Sequence, residues 1–262
     1  MESSENKAAS TVKSAKRVME IFELFDEVQL PMNLTDISTR LGYPAASALA
    51  LLKSLQAMDY VSFNPNNKTY SPTMRIAMLG GWIQGQIFMN GTVVALMNDL
   101  AERTGETIML GMQNDIHAQY VHTVQSGKAL RYFLKPGTLR PICRSATGYA
   151  LLANQTEAKV RKLVQKINLR QSPMEPAVDE ESLMATLEAV RKQGYAYSDQ
   201  LTEGISALAI ALPQSVNGRA MALGLGGPTS RVQPKIDDLV QLMKKLIAHH
   251  LPSSGSDKAE AA

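Results

Sequence analysis

Between residues 34 and 60 the apolar positions fall into two short helical stripes separated by a glycine and a proline. Leu34, Ile37 and Leu41 recur at the spacing that puts side chains on one helical face, and Ala48, Leu51, Leu52 and Leu55 repeat the pattern after the break. Asn33 or Thr35 can cap the first stripe, because either side-chain oxygen can accept a first-turn N–H that has no partner within the helix. Gly42 is a stop that tolerates positive φ, and Pro44 falls where a first-turn proline loses no hydrogen bond. The spacing predicts a helix-turn-helix with Ala45, Ala46, Ser47, Leu49, Ala50 and Lys53 on or near the outer face of the second helix. Helical bundles also contain such pairs, so the next segment matters. Tyr60-Val61-Ser62-Phe63 and Lys68-Thr69-Tyr70-Ser71 alternate with period two across the turn-forming Asn64-Pro65-Asn66-Asn67. A hairpin directly after the second helix predicts a wing.

Upstream, residues 14–27 read as a helix with Val18, Ile21, Phe22 and Phe25 on one face and Glu20, Glu23, Asp26 and Glu27 on the other. Residues 1–13 and 252–262 are polar and read as disordered tails. The spacing thus predicts a winged helix-turn-helix domain over 14–78, a linker helix over 79–91 and a second domain over 92–251. The linker is apolar and Met-rich; its Trp82, Ile83, Ile87 and Phe88 predict burial against a second subunit. Beyond it, strands are predicted at 106–113, 116–125 and 129–134, a loop at 136–141, helices at 92–103, 146–153, 157–167 and 180–193, strands at 195–199, 205–212 and 219–226, and a closing helix at 232–250. Antiparallel strand runs with helices grouped between them indicate an α+β fold with a mostly antiparallel sheet.

Composition narrows the function. No apolar run is long enough to span a membrane and the N-terminal segment has no signal-peptide core, so a cytoplasmic protein is expected. Cys143 is the lone cysteine and reads as packing, not as a reactive thiol. Residues 14–78 hold six basic and six acidic side chains, so affinity for DNA must come from their arrangement. Arg40, Lys53, Lys68 and Arg75 cluster in the second half. Together with Thr35, Ala45, Ala46 and Ser47, the residues Arg40, Lys53 and Lys68 are the candidate contacts to a double-stranded DNA operator. Nothing points to an enzyme, a metal or a cofactor: His117 and His122 are five apart in a strand and should face opposite ways, no Gly-x-Ser-x-Gly elbow surrounds Ser145, and no phosphate-binding glycine loop is present.

The chain resembles the IclR-type transcriptional regulators over about residues 14–250. The resemblance rests on Ser14-Ala15-Lys16-Arg17-Val18-Met19-Glu20-Ile21, on residues 41–55, on Arg144-Ser145-Ala146-Thr147-Gly148-Tyr149-Ala150-Leu151-Leu152-Ala153, on Gly194-Tyr195-Ala196-Tyr197 and on Gly224-Leu225-Gly226-Gly227-Pro228. It implies a GAF-like C-terminal effector domain, a homodimer or dimer of dimers, and a small-molecule effector that is a carboxylic acid. In the family the ligand sits beside the positions that match Ala146 and Thr147, where N–H groups at a helix start can hold a carboxylate. An acid that lines the family's pocket matches Ser198 or Asp199. Polar positions on the last two strands match Ala207, Gly224 and Gly226, which carry Cys or Ser in relatives that bind small keto acids. Small, non-polar residues there imply an effector bulkier than glyoxylate, such as an aromatic acid, with Tyr132, Phe133 or Leu139 as walls. The outer face of the second helix also departs from the family, which often presents Lys, Ser, Thr, His or Arg there. Without them the bidentate contacts to guanine and adenine are missing, leaving methyl contacts, Ser47 and DNA shape. The alternative is an effector-binding protein whose degenerate helix-turn-helix makes protein contacts.

Overall fold

The computed structural model describes residues 12–87, 91–170, 176–216 and 219–252. The tails beyond residues 12 and 252 lie outside the described residues, and so do the side chains of Trp82, Ile83, Ile87 and Phe88. The chain divides into two compact units, Met1–Gln84 and Gly85–Ala262.

The N-terminal unit runs α1 (Lys13–Val28), β1 (Met32–Asn33), α2 (Leu34–Leu41), α3 (Ala45–Ala57), β2 (Val61–Asn64) and β3 (Thr69–Pro72), and then enters α4 (Met74–Ile87). Of the two candidate caps Asn33 is the one used: its Oδ1 accepts the Asp36 N–H at 2.9 Å. Gly42 ends α2 at φ 67°, a conformation that favours glycine. Ile21, Leu24, Phe25, Ile37, Leu52, Leu55, Val61 and Tyr70 form the core, with Val18 and Phe22 only half-buried at its margin. The α1 stripe is therefore centred one position away from the sequence reading, on Leu24. The hairpin pairs as expected, but β3 also pairs with β1, Met32 opposite Tyr70. Two residues carry no readable period, so this third strand escapes sequence analysis.

The second unit is a six-stranded antiparallel sheet in the order β6-β5-β4-β9-β8-β7. Its strands are β4 (Thr107–Asn114), β5 (His117–Val124), β6 (Leu139–Pro141), β7 (Ala196–Ser198), β8 (Ile205–Val216) and β9 (Arg219–Pro228). The helices are α5 (Thr92–Thr104), α6 (Ala146–Ala153), α7 (Glu157–Arg170), α8 (Glu180–Gln193), α9 (Thr229–Val232) and α10 (Ile236–His250). Alternation along β8 and β9 sorts residues by size. Leu208, Ile210, Leu212, Met221, Leu223 and Leu225 pack with α5 and α10. Ala207, Ala209, Ala220 and Ala222 pack on the opposite face with α6 and α8. Small residues on that face let α6 seat close to the sheet, and all 8 of its residues are buried.

Four expectations are corrected. Residues 129–134 form no strand, because side chains take their carbonyls: Thr107 Oγ1 donates to Tyr132 O at 2.6 Å and Thr123 Oγ1 to Leu134 O at 3.2 Å. The edge of β5 is instead covered by β6, inside the predicted loop, after Gly137 turns the chain at φ 87°. The closing helix is broken by Pro234, and α10 starts only after a 3-10 turn at Gln233–Lys235. Finally, a register shift at Leu110/Gly111 leaves Val121 as an extra residue in β5, so His122 pairs with Leu110 while His117 pairs with Asn114. That cancels one alternation and puts both histidines on one face, roughly 13 Å apart at about 3.3 Å per residue.

Candidate functional site

On α3 the buried line of Ala48, Leu52 and Leu55 leaves Ala46, Ala50, Lys53 and Ala57 directly opposite, a short apolar face flanked by one lysine. Ala45, Ala46 and Lys53 are exposed, as are Thr35 and Arg40 on α2. Ser47 is half-buried beside the start of α1, in a groove shared with Lys13, Ser14 and Arg17. The turn is fastened to α1: the Tyr43 hydroxyl donates to the Glu20 carboxylate, and the Arg17 guanidinium lies 4.6 Å from the Tyr43 ring centre. Burial and that carboxylate push the Tyr43 phenol up to about 12. Glu20, read as part of the acidic outer face, is thus engaged at the turn. At the wing tip Lys68 is exposed at φ 56°, held by turns in which Asn64 Oδ1 accepts the Asn66 N–H and Asn67 Oδ1 accepts the Thr69 N–H.

In the second unit, Ser145 caps α6 by accepting the Gly148 N–H at 3.0 Å, which aims the first turn of α6 at the small-residue face of the sheet. Thr147, 1% exposed, stands over Gly111 and Gly224. The space above Gly224 and Gly226 of β9 is filled by protein. A Cβ on Gly224 would lie 2.7 Å from Met109 Cγ and 3.1 Å from Thr147 Oγ1; one on Gly226 would lie 2.7 Å from Tyr132 Cδ1 and 3.0 Å from Met109 Cε. Met109, Tyr120, Tyr132 and Leu134 form a buried cluster there with Ile205 at its edge. The remaining cavity, about 20 Å³, is lined by Tyr120, Tyr132, Ser145, Ala146, Ser198 and Ala207 among others. That is room for about one water.

Polar groups converge on this spot. The Arg140 guanidinium donates from Nη2 to the Tyr132 hydroxyl at 3.0 Å. Burial pushes the Tyr120 phenol up to about 12, while the nearby Thr147 hydroxyl and Arg140 charge act to lower it. Tyr120 nevertheless does not satisfy Thr147: Oγ1 is buried without a partner in hydrogen-bond geometry, as is Arg140 Nε.

The structure brings Tyr132, Ala146, Thr147, Ala207, Gly224 and Gly226 together. It does not bring in Leu139, 46% exposed, nor Phe133, 55% exposed. Asp199 is exposed and accepts from the Tyr197 hydroxyl at 3.2 Å; strand alternation turns the neighbouring Ser198 inward instead. Met109, Tyr120 and Arg140 were not read from the sequence. Arg140 lies on β6, a strand of 3 residues too short to show a period, whereas Tyr120 shares a face with Ala118 in a strand whose alternation is legible. Cys143 is buried, and burial pushes its thiol up to about 11, as suits packing.

Comparison with known proteins bears on both units. Residues 14–65 match the IclR helix-turn-helix domain and residues 91–249 match the bacterial transcriptional regulator IclR C-terminal domain. The HTH-type transcriptional regulator XynR of Escherichia coli (strain K12) is 28% identical over 222 residues, 84% of this chain and 88% of that protein. Among solved structures, an IclR transcriptional regulator from Alicyclobacillus acidocaldarius is 26% identical, with a TM-score of 0.71 over 92% of this chain and 98% of that one. An IclR homologue from Microbacterium hydrocarbonoxydans, solved with 4-hydroxybenzoate, shares the fold at 17% identity, with a TM-score of 0.73 over 91% and 97% of the two chains. The chain belongs to the IclR family of DNA-binding transcriptional regulators, and is not an enzyme. A complete helix-turn-helix with its wing disfavours the reading as a decayed protein-contact module.

Proposed function

We propose that this regulator acts in the cytoplasm on a double-stranded operator and is controlled by an aromatic or similarly bulky carboxylic acid bound between α6 and the sheet. The observation that carries the effector reading is the buried, unpartnered Thr147 hydroxyl above two glycines whose space is taken up by the side chains of Met109 and Tyr132. An unsatisfied buried hydroxyl costs about 1–3 kcal/mol, which a ligand oxygen would recover. The carboxylate would meet Thr147 and the free N–H groups of Ala146 and Thr147, and the apolar body would lie along Gly224 and Gly226. The same fold holds 4-hydroxybenzoate in a relative, which supports an aromatic occupant.

On the DNA side, Thr35, Arg40, Lys53 and Lys68 would contact phosphates, while Ala45, Ala46 and Ser47 would meet base edges. Alanines can touch a thymine methyl but offer no bidentate hydrogen bonds, so operator recognition rests heavily on DNA shape. Met74, Met78 and Leu79 lie exposed on α4, 75%, 73% and 56% respectively, which supports a subunit contact on that helix and a two-fold operator.

Calorimetry with benzoate, 4-hydroxybenzoate, pyruvate and glyoxylate tests the pocket. Wild type is expected to prefer the aromatic acids. Gly224→Ser with Gly226→Ser should weaken them about tenfold, since overpacking typically costs about 1–3 kcal/mol, and should favour the small keto acids. If no aromatic acid binds wild type, or the serine pair binds one equally well, the glycines serve only the sheet.

A further inference from the structure

We propose that the Tyr132 ring is a built-in stand-in for the effector, plugging the aromatic slot, and that Arg140 is the residue that selects a carboxylate by exchanging the Tyr132 hydroxyl for it. This deepens the effector reading above and rests on it.

Three observations support the exchange. First, the ring lies against Gly226 so closely that a Cβ there would be 2.7 Å from Cδ1 and 3.3 Å from Cε1, so the β9 glycine is shaped to an aromatic face already present. Second, the hydroxyl of that ring takes a hydrogen bond from Arg140 Nη2 at 3.0 Å, with the guanidinium carbon 5.9 Å from the ring centre. A neutral phenol is a poor partner for a guanidinium, which presents a planar fork matched to the two oxygens of a carboxylate. Third, among the described residues two buried side-chain polar atoms lack a partner, Arg140 Nε and Thr147 Oγ1, and both belong to this cluster. The plugged state thus leaves one donor of the fork and the neighbouring hydroxyl unused. An aromatic acid entering in place of the ring would keep the contact with Gly226 and put a carboxylate where both can be satisfied.

The plug sits on a segment tied at both ends. Arg231 Nη2 donates to Leu130 O at 2.9 Å and Thr107 Oγ1 to Tyr132 O at 2.6 Å, and beyond it Gly137 N donates to Tyr120 O at 2.7 Å. These bonds hold the backbone of the segment and leave the side chain of Tyr132 as the part that swings. Effector binding is thereby converted into displacement of a side chain in a segment fastened to β4, β5 and α9.

Calorimetry on the full chain with benzoate and its neutral isostere benzamide provides the test, with Arg140→Leu, Arg140→Lys and Tyr132→Phe. Wild type should prefer benzoate to benzamide by about 10- to 100-fold, the range that a charge-assisted hydrogen bond supplies. Arg140→Leu should erase that preference, bringing benzoate and benzamide to about equal affinity, and Arg140→Lys should restore part of it. Tyr132→Phe should bind benzoate several-fold more tightly, because the competitor for Arg140 is gone; a residue that merely walls the pocket would not produce a gain. If benzoate binds Arg140→Leu as it binds wild type, and Tyr132→Phe gains nothing, the exchange is refuted while the pocket stands, provided the Gly224→Ser, Gly226→Ser pair still weakens binding. If neither probe binds wild type, both readings fall.

Discussion

Gly148→Ala is expected to prevent the effector unit from folding, or to lower its stability by more than about 3 kcal/mol. A Cβ at this position would overlap the Ile142 carbonyl oxygen and lie 2.6 Å from its carbon and 2.7 Å from Ser145 Oγ. The obstacle is backbone, in a residue that is itself fully buried, so no side chain can swing aside. Moving α6 away would open the interface of its 8 buried residues with the sheet and pull Ser145 off the Gly148 N–H. Ordinary overpacking costs about 1–3 kcal/mol because neighbours yield. Here they do not, and the penalty is a large share of a typical total of about 5–15 kcal/mol. Gly80→Ala is the contrasting control: nothing lies within 4 Å of its Cβ position in α4, so the change should stabilise by roughly 0.5–1 kcal/mol. Urea unfolding of both variants decides it. A Gly148→Ala protein within 1 kcal/mol of wild type, on the order of an ordinary surface change, would contradict the close seating of α6.

The second large effect is expected from Glu106→Gln. Glu106 is buried, and its carboxylate accepts from Lys128 Nζ at 2.8 Å and from Arg231 Nε and Nη2 at 2.8 Å each. Burial acts to raise its pKa, but the hydrogen bonds and charges of Arg231 and Lys128 outweigh it and hold the carboxyl below its ordinary 4.5. Because the folded value is depressed, this contribution to stability is complete above the unfolded value and is lost as pH falls through 4.5 to the folded one. Removing one partner of a buried ion pair costs about 3–5 kcal/mol. Lys128 and Arg231 are partly exposed and can regain water, so a loss of about 2–3 kcal/mol at pH 7 is expected. Thermal melts should show the difference from wild type narrowing below pH 4.5. A constant difference across that range would show that the ionised carboxylate is not what stabilises the cluster.

How far these features could be read from the sequence depends on how each is encoded. The helix-turn-helix is legible because its signals are local and agree: a cap at Asn33, a stop at Gly42 and two apolar stripes. Strands β4, β5, β7, β8 and β9 and helices α5 to α8 are legible for the same reason. What escapes is set by long-range pairing. β1 is two residues long, β6 forms only because Gly137 folds residues 139–141 back onto β5, and the Val121 bulge reverses the expected facing of His122. The pocket was half visible. Gly224 and Gly226 announce missing side chains, but no pattern along the chain says that Met109 and Tyr132 fill the gap, or that Arg140 reaches it from an edge strand.

The central claim is that an acid taken up in place of Tyr132 controls binding to DNA. Fluorescence anisotropy on a duplex selected by the wild-type protein from a random pool, titrated with benzoate and with glyoxylate, tests it most directly. Benzoate should shift the DNA affinity of wild type by about 5- to 150-fold, the usual range of coupling between two sites, and glyoxylate should shift it less. The Gly224→Ser, Gly226→Ser pair should lose the benzoate response while still binding DNA. DNA affinity that no acid moves, or a response to benzoate that the serine pair keeps in full, would contradict the account.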